Sequence, residues 1–194
     1  MGKGRLEAFS DGVLAIIITI MVLELNIPHG FDLAALVPML PVLASYVLSF
    51  IYVGIYWNNH HHLLALAKRL TGGQMWANMH LLFWLSLVPF TTAWAGESHM
   101  ETGPAVAYGV VMLMAGLAYK LLQHLIVSDS PDRADLERVL GRDLKGMVSL
   151  VLYAGALAAA FVAPLVAYGL YAAVALMWVV PDKRVERIFE FLNR

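Results

Sequence analysis

Long apolar runs separated by short polar segments leave this chain few ways to fold. Each run is close to the roughly 20 helical residues that a bilayer core of about 30 Å requires. The first run covers 8–25 and the second 33–57, the latter continuing as a more polar extension to 68. Pro38 and Pro41 fall in its opening turns, where proline is tolerated better than in mid-helix. A third run covers 75–95 and a fourth 104–127. The stretch 146–180 is too long for one crossing, and Pro164 divides it into a tight hairpin with arms over 146–163 and 165–180, each short for a full span. The expectation is an all-α membrane protein with six transmembrane helices, folded as a single domain over residues 1–194. Composition agrees: 60% of the 194 residues are hydrophobic, 14% are charged, and the mean hydropathy is +0.71. A soluble core of this length could not bury so much apolar surface.

The cations orient these runs. Lys3 and Arg5 precede the first span, Lys68 and Arg69 follow the second, and Arg133, Arg138, Arg142 and Lys145 lie between the fourth and fifth. Lys183, Arg184, Arg187 and Arg194 form the tail, and Lys120 near the inner end of the fourth span can snorkel to the same side. All 13 Lys and Arg residues are thereby assigned to one face, while the alternate loops carry only Glu24, Asp32, Glu97 and Glu101. Positive charge accumulates on the cytoplasmic side, so both termini are expected there. The outer carboxylates are either loop solubilisers or a weakly cation-attracting mouth, with Glu24 closest to the first helix.

Other chemistries are excluded by residue type. With no cysteine, disulfides, thiolate zinc sites, iron–sulfur clusters and cysteine nucleophiles are ruled out. A net charge of -1 offers no basic face for nucleic acid. The first run holds Ser10, Asp11 and Glu24 and is followed by no small-residue cleavage site, so it is expected to be a retained helix.

The most specific pattern is Arg5-x-x-x-Phe9-Ser10-Asp11, which runs directly into Gly12-Val13-Leu14-Ala15-Ile16-Ile17-Ile18-Thr19-Ile20. It resembles the start of the transmembrane protein 175 family of potassium-permeable channels, found in bacteria and in animal endosomes and lysosomes. The six-span plan extends the likeness over nearly the whole chain. Bacterial members of that family are single six-helix units that assemble as tetramers, whereas the animal form carries two units per chain. The resemblance therefore implies four identical subunits in a bacterial inner (plasma) membrane, passing potassium and other monovalent cations with no cofactor.

It also implies an ion path along the first helix, with Ile16, Thr19 and Leu23 lining it as bulky apolar, hydroxyl and bulky apolar layers, and Ile20 sharing the constriction. Helical geometry is compatible with one stripe, since Ile20 lies about 40° and Leu23 about 20° from Ile16 around the axis. Asp11 lies about 140° away from Ile16, as an anchoring group would. Without the resemblance, the same stripe reads equally as a lipid-facing or packed surface. No Thr-Val-Gly-Tyr-Gly carbonyl filter occurs. Rings of Ile16 and Leu23 would close by dewetting, and a ring of Thr19 hydroxyls would give a modest preference for potassium over sodium.

Arg5, Phe9, Ser10 and Asp11 are expected to fix the helix against its neighbours, ionisable residues within spans being costly and seldom idle. A second polar group comprises His60, His61 and His62 after the second span, with Asn78 and His80 at the start of the third. Three consecutive histidines point in three directions on a helix and cannot all ligate one metal, so no metal beyond permeating potassium is expected. A network joining these residues to Asp11 is the expected arrangement, and histidine would make it pH-sensitive. Segments 132–144 and 183–191 read as short interfacial helices or as solvated surface. The rival to a channel is a proton-coupled transporter using Asp11 and the histidines. It would call for broken helices in related halves, and no internal repeat is visible. An intramembrane metal enzyme lacks a convincing ligand set with a general base.

Overall fold

The computed structural model describes residues 2–28, 30–131, 133–140 and 143–180. Among these every regular element is a helix, and no strand occurs. The tail cations from Lys183 onward, the tail segment 183–191 and Arg142 lie outside the described residues.

Helix α1 runs from Lys3 to Leu23, beginning well before the apolar run, so the whole motif from Arg5 to Asp11 is helical. Leu6, Ser10, Leu14, Ile17 and Met21 recur at intervals of three and four residues and form its buried face. The helix packs on the second, third and fourth α-helices of the chain. At 21 residues α1 is about 32 Å long, a bilayer's hydrocarbon thickness.

The second run differs from the sequence expectation at its start. Residues Leu33–Met39 form a 3-10 helix capped by Asp32, whose Oδ1 accepts from Ala35 N at 3.2 Å, and α2 proper covers Leu40–Ala65. Pro38 supplies no N–H for an α-type bond, which accounts for the tighter lead-in, and Pro41 falls in the first turn of α2 where its missing donor costs nothing.

The third run is also interrupted. Helix α3, Gly72–Ser86, gives way at Leu87 to α4, Val88–Glu97, because Pro89 cannot donate to the turn before it. Thr71 and Gln74 start α3 with a reciprocal capping box, worth about 1 kcal/mol. His99 (φ 51) and Met100 (φ 64) turn the chain through left-handed backbone into α5, Thr102–Ser128.

A short amphipathic helix α6, Arg133–Leu140, precedes the hairpin of α7, Leu144–Ala160, and α8, Pro164–Val179. The proline expected to divide the hairpin is the first residue of α8. Ala159 O accepts from Val162 N and Ala163 N in the turn ahead of it. Three segments among the described residues are long and apolar enough to cross a membrane, namely Lys3–Leu23, Leu33–Ala65 and Thr102–Ser128. The arms of the hairpin are shorter, at 17 and 16 residues.

Most polar side chains inside this bundle are bonded to one another or to backbone carbonyls, as a low-dielectric interior favours, the buried Tyr168 hydroxyl being the exception among the described residues. Thr92 Oγ1 lies 2.7 Å from Ser49 Oγ, which is 3.0 Å from the Tyr108 hydroxyl, joining α4, α2 and α5. Tyr52 donates to Tyr171 O, and Tyr171 donates to Ala105 O at 3.1 Å. Alanines at 105, 115, 118, 156, 160 and 167 are fully buried and let these helices approach closely.

Gly109 is the tightest point of that approach. A Cβ there would stand 2.6 Å from Leu157 Cδ1 and collide with the Tyr171 hydroxyl, whereas one at Gly155 would meet nothing within 4 Å. Gly109→Val is expected to destabilise the protein by about 1–3 kcal/mol through overpacking. Gly155→Val should leave the thermal midpoint in detergent within a degree or so of the parent.

Candidate functional site

The two faces of α1 have opposite chemistry. Facing away from the rest of the chain are Ile16 at 57% exposure, Ile20 at 41% and Leu23 at 80%, with Thr19 exposed between them. Thr19 donates its hydroxyl proton to Ile16 O at 2.9 Å. A hydroxyl has one donor and two acceptor lone pairs, so this bond leaves the Thr19 oxygen as an acceptor on the exposed face. That is the polarity a cation requires. Glu24 caps the C-terminal end of the helix and is exposed.

The opposite face is anchored by a directional chain of buried hydrogen bonds. Ser10 donates to Leu6 O at 2.9 Å and accepts from Asn78 Nδ2 at 2.9 Å; Asn78 Oδ1 lies 2.6 Å from His60 Nε2. Since Asn78 Oδ1 can only accept, His60 holds its proton on Nε2. Ser10 and Asn78 are fully buried and His60 is 2% exposed. The chain ties α1, α3 and α2 at one level. Each link also answers a group that would otherwise be buried without a partner, at about 1–3 kcal/mol.

The expected single network joining His60, His61, His62, Asn78 and His80 to Asp11 is therefore corrected: His60 and Asn78 belong to the buried chain and His80 bonds on its own helix, while Asp11 reaches His61 through Trp57, and the His61 and His62 rings touch with centroids 5.4 Å apart. Asp11, one position past Ser10, turns outward and accepts from Trp57 Nε1 at 3.0 Å. His61 stacks on the Trp57 ring at 6.3 Å between centroids. His80 accepts from Trp84 Nε1 at 2.9 Å on its own helix. His62 faces a cavity among α2, α5 and α7. The reason is the 100° step between successive helical residues, which sends neighbours in sequence to different surroundings. Arg5 is exposed, as is Phe9 at 47%. No three His, Asp or Glu side chains come together as a metal site among the described residues.

Sequence reasoning missed two contacts at this end of the molecule. Lys3 Nζ donates to Ala65 O at 3.1 Å, satisfying a carbonyl at the end of α2, and Lys145 Nζ does the same for Met177 O and Val180 O at the end of α8. Lysine at a helix C-terminus also favours the helix dipole. A run of cations beside apolar helix ends was the available signal.

With this geometry in view, comparison with known proteins becomes informative. A sequence model of the family described as the endosomal/lysosomal potassium channel TMEM175 matches residues 5–89, which hold nearly all of α1 and all three side-chain members of the buried chain. A potassium channel of Chryseobacterium sp. (strain P1-3) is 50% identical over 187 residues, covering 96% of this chain and 97% of its own length. This chain belongs to the TMEM175 family. The family is one of ion channels and not of enzymes. A potassium channel of Streptomyces collinus is 37% identical over 62% of each chain. Endosomal/lysosomal proton channel TMEM175 of Gallus gallus is 32% identical over 52% of this chain, which corresponds to 23% of the animal protein. The crystal structure of a lysosomal potassium-selective channel TMEM175 homolog from Chamaesiphon minutus superposes with a TM-score of 0.79 at 26% identity, covering 92% of this chain and 96% of that one.

The buried chain and the outward bond make different predictions. Asn78→Leu strands the His60 Nε2–H and removes the proton that Ser10 accepts, leaving Ser10 its bond to Leu6 O, and should cost about 1–3 kcal/mol in thermal or denaturant unfolding of the detergent-solubilised TMEM175 protein. Trp57→Phe removes only the exposed bond to Asp11 and should cost about 1 kcal/mol or less.

Proposed function

We propose that this chain is the subunit of a homotetrameric, potassium-permeable cation channel of a bacterial plasma membrane, with the ion path running along the first helices of four copies. The observation that carries the reading is the exposed stripe of α1, where three bulky aliphatic side chains surround one hydroxyl whose proton is already committed to the backbone. The names of the bacterial relatives support it, as does the likeness to a potassium-selective channel structure. Six crossings are formed by α1, by α2 with its 3-10 lead-in, by α3 and α4 together, and by α5, α7 and α8. Both termini face the cytoplasm. The contacts of Lys3, Lys120 and Lys145 with the ends of α2, the α7 cap and α8 are in keeping with that orientation.

In the tetramer, Ile16, Ile20 and Leu23 form apolar rings around the symmetry axis. An ion meeting these rings finds no oxygen to replace its hydration, so the column of water breaks and conduction stops. Opening requires that these rings widen. At Thr19, four oxygen acceptors replace part of the lost hydration shell, which favours the more weakly hydrated potassium over sodium to a modest degree. Glu24 adds negative charge at the outer mouth, where cations enter. Arg5, Phe9, Ser10 and Asp11 hold α1 in register and do not touch the ion. Lipid and the identical subunits are the partners; neither a cofactor nor nucleic acid has a role.

Proton movement is the second reading, prompted by the proton-channel names of the animal relatives. In its transporter form, with Asp11 and the histidine cluster as carriers, it is the weaker of the two: Asp11 bonds to Trp57 on the surface and does not join the buried His60 chain.

Purified protein in liposomes tests the choice. A potassium gradient should drive passive flux that exceeds sodium flux and needs no proton gradient. Leu23→Ala should raise the leak roughly tenfold, equivalent to about 1.4 kcal/mol off the dewetting barrier. Thr19→Ala should narrow the difference between potassium and sodium. Flux that occurs only with stoichiometric proton movement would establish the transporter instead.

A further inference from the structure

A cavity of about 90 Å3 lies within the chain between α2, α5 and α7, on the other side of α2 and α5 from the exposed stripe of α1. Gly116 makes room for it. A Cβ there would stand 3.1 Å from Leu150 Cδ2 and 3.8 Å from both Tyr153 Cε2 and the Tyr56 hydroxyl. Rings form the deeper walls, with Tyr56 and Tyr153 lining the cavity and Trp178 closing one side. Trp178 is fixed in place: its Nε1 donates to Ser149 Oγ at 2.8 Å, and Lys145 Nζ lies over the ring at 5.8 Å from its centroid.

Polar groups gather toward the end where α2 and α5 finish and α7 begins. Asn59 and Gln123 present amides there, and Lys120 pairs with Asp143 across the rim at 3.6 Å. The ion pair largely neutralises itself, so the rim calls for a hydrogen-bonding group and not for a charge. At about 10–15 Å3 for each water-sized group, the cavity takes roughly six to nine non-hydrogen atoms, too little for a lipid headgroup but suited to a single ring whose substituent stays at the open rim. Ring walls with a few convergent polar groups at one end are the usual make-up of a small-molecule site.

We propose that this cavity binds a small neutral aromatic molecule bearing one hydroxyl or amide group, with its ring among Tyr56, Tyr153 and Trp178 and its polar group on Asn59 or Gln123. The site is within one subunit and apart from the ion path, so its occupancy can be measured without ion flux and stands or falls separately from the channel reading.

Fluorophenol is a suitable probe, read by fluorine NMR on the purified full-length protein in detergent, with empty micelles as the baseline for partitioning. Saturable binding is expected. Gly116→Leu fills the cavity and should weaken it at least about tenfold, while Gly155→Leu, which points into open space, should bind as the parent does. Gln123→Leu keeps the rings but removes a polar partner and should weaken binding about threefold or more, which keeps the test decisive if Gly116→Leu does not yield a monodisperse protein. Uptake that never saturates above the micelle baseline would overturn the proposal. So would unchanged affinity in folded Gly116→Leu or Gln123→Leu, or equal binding of an aliphatic fluorinated alcohol of the same size.

Discussion

The hydroxyl of Ser10 is the pivot of the structure. It sits fully buried on a helix whose other buried side chains are apolar, and an unsatisfied hydroxyl in such surroundings is costly. Its proton goes back to Leu6 O, its lone pair takes a proton from Asn78, and Asn78 in turn requires His60. One buried polar atom thus sets the rotation of α1 relative to two other helices. Rotation decides which side chains the exposed face presents: turning α1 by one residue's step would put Ile16 where Ile17 is now buried and present Ala15 in its place.

Further along α1 the same helix is held by apolar packing, with Leu14, Ile17 and Met21 all nearly inaccessible. Behind them stands a second polar knot, Thr92, Ser49 and Tyr108, whose Thr92 hydroxyl also lies 4.0 Å from Met21 Sδ. The rigid side of α1 therefore runs along most of its length. A gate made from side-chain rings needs such a frame, because widening at Leu23 by a small helix movement has meaning only if the rest of the helix keeps its register.

Much of this was legible in the sequence. Helical character and the apolar segments follow from period and composition, because a helix in lipid is forced to satisfy its backbone internally, whereas the choice of Ile16, Thr19, Ile20 and Leu23 as one lining stripe came from the family resemblance. The likeness to the transmembrane protein 175 family rested on four residues of α1 and is confirmed by relatives that cover nearly the whole chain. Partner choice was less legible. That His60 would meet Asn78 while His61 meets Trp57 and His62 meets a cavity depends on how α2 rotates between α1 and α5, which no local pattern in a run of three histidines encodes. The breaks at Met39 and Leu87 were signalled by Pro38 and Pro89, but hydropathy alone carries straight across them.

The central claim is that ions pass along the exposed face of α1. The chain lacks cysteine, so single cysteines can be placed in the otherwise unaltered protein and modified in liposomes with a bulky, charged, water-soluble thiol reagent while potassium flux is recorded. Leu23→Cys should be modified and its flux largely abolished, whereas Val151→Cys, at a position on α7 that is 71% exposed, should conduct as before after the same treatment. Complete modification of Leu23→Cys with no change in flux would contradict the account.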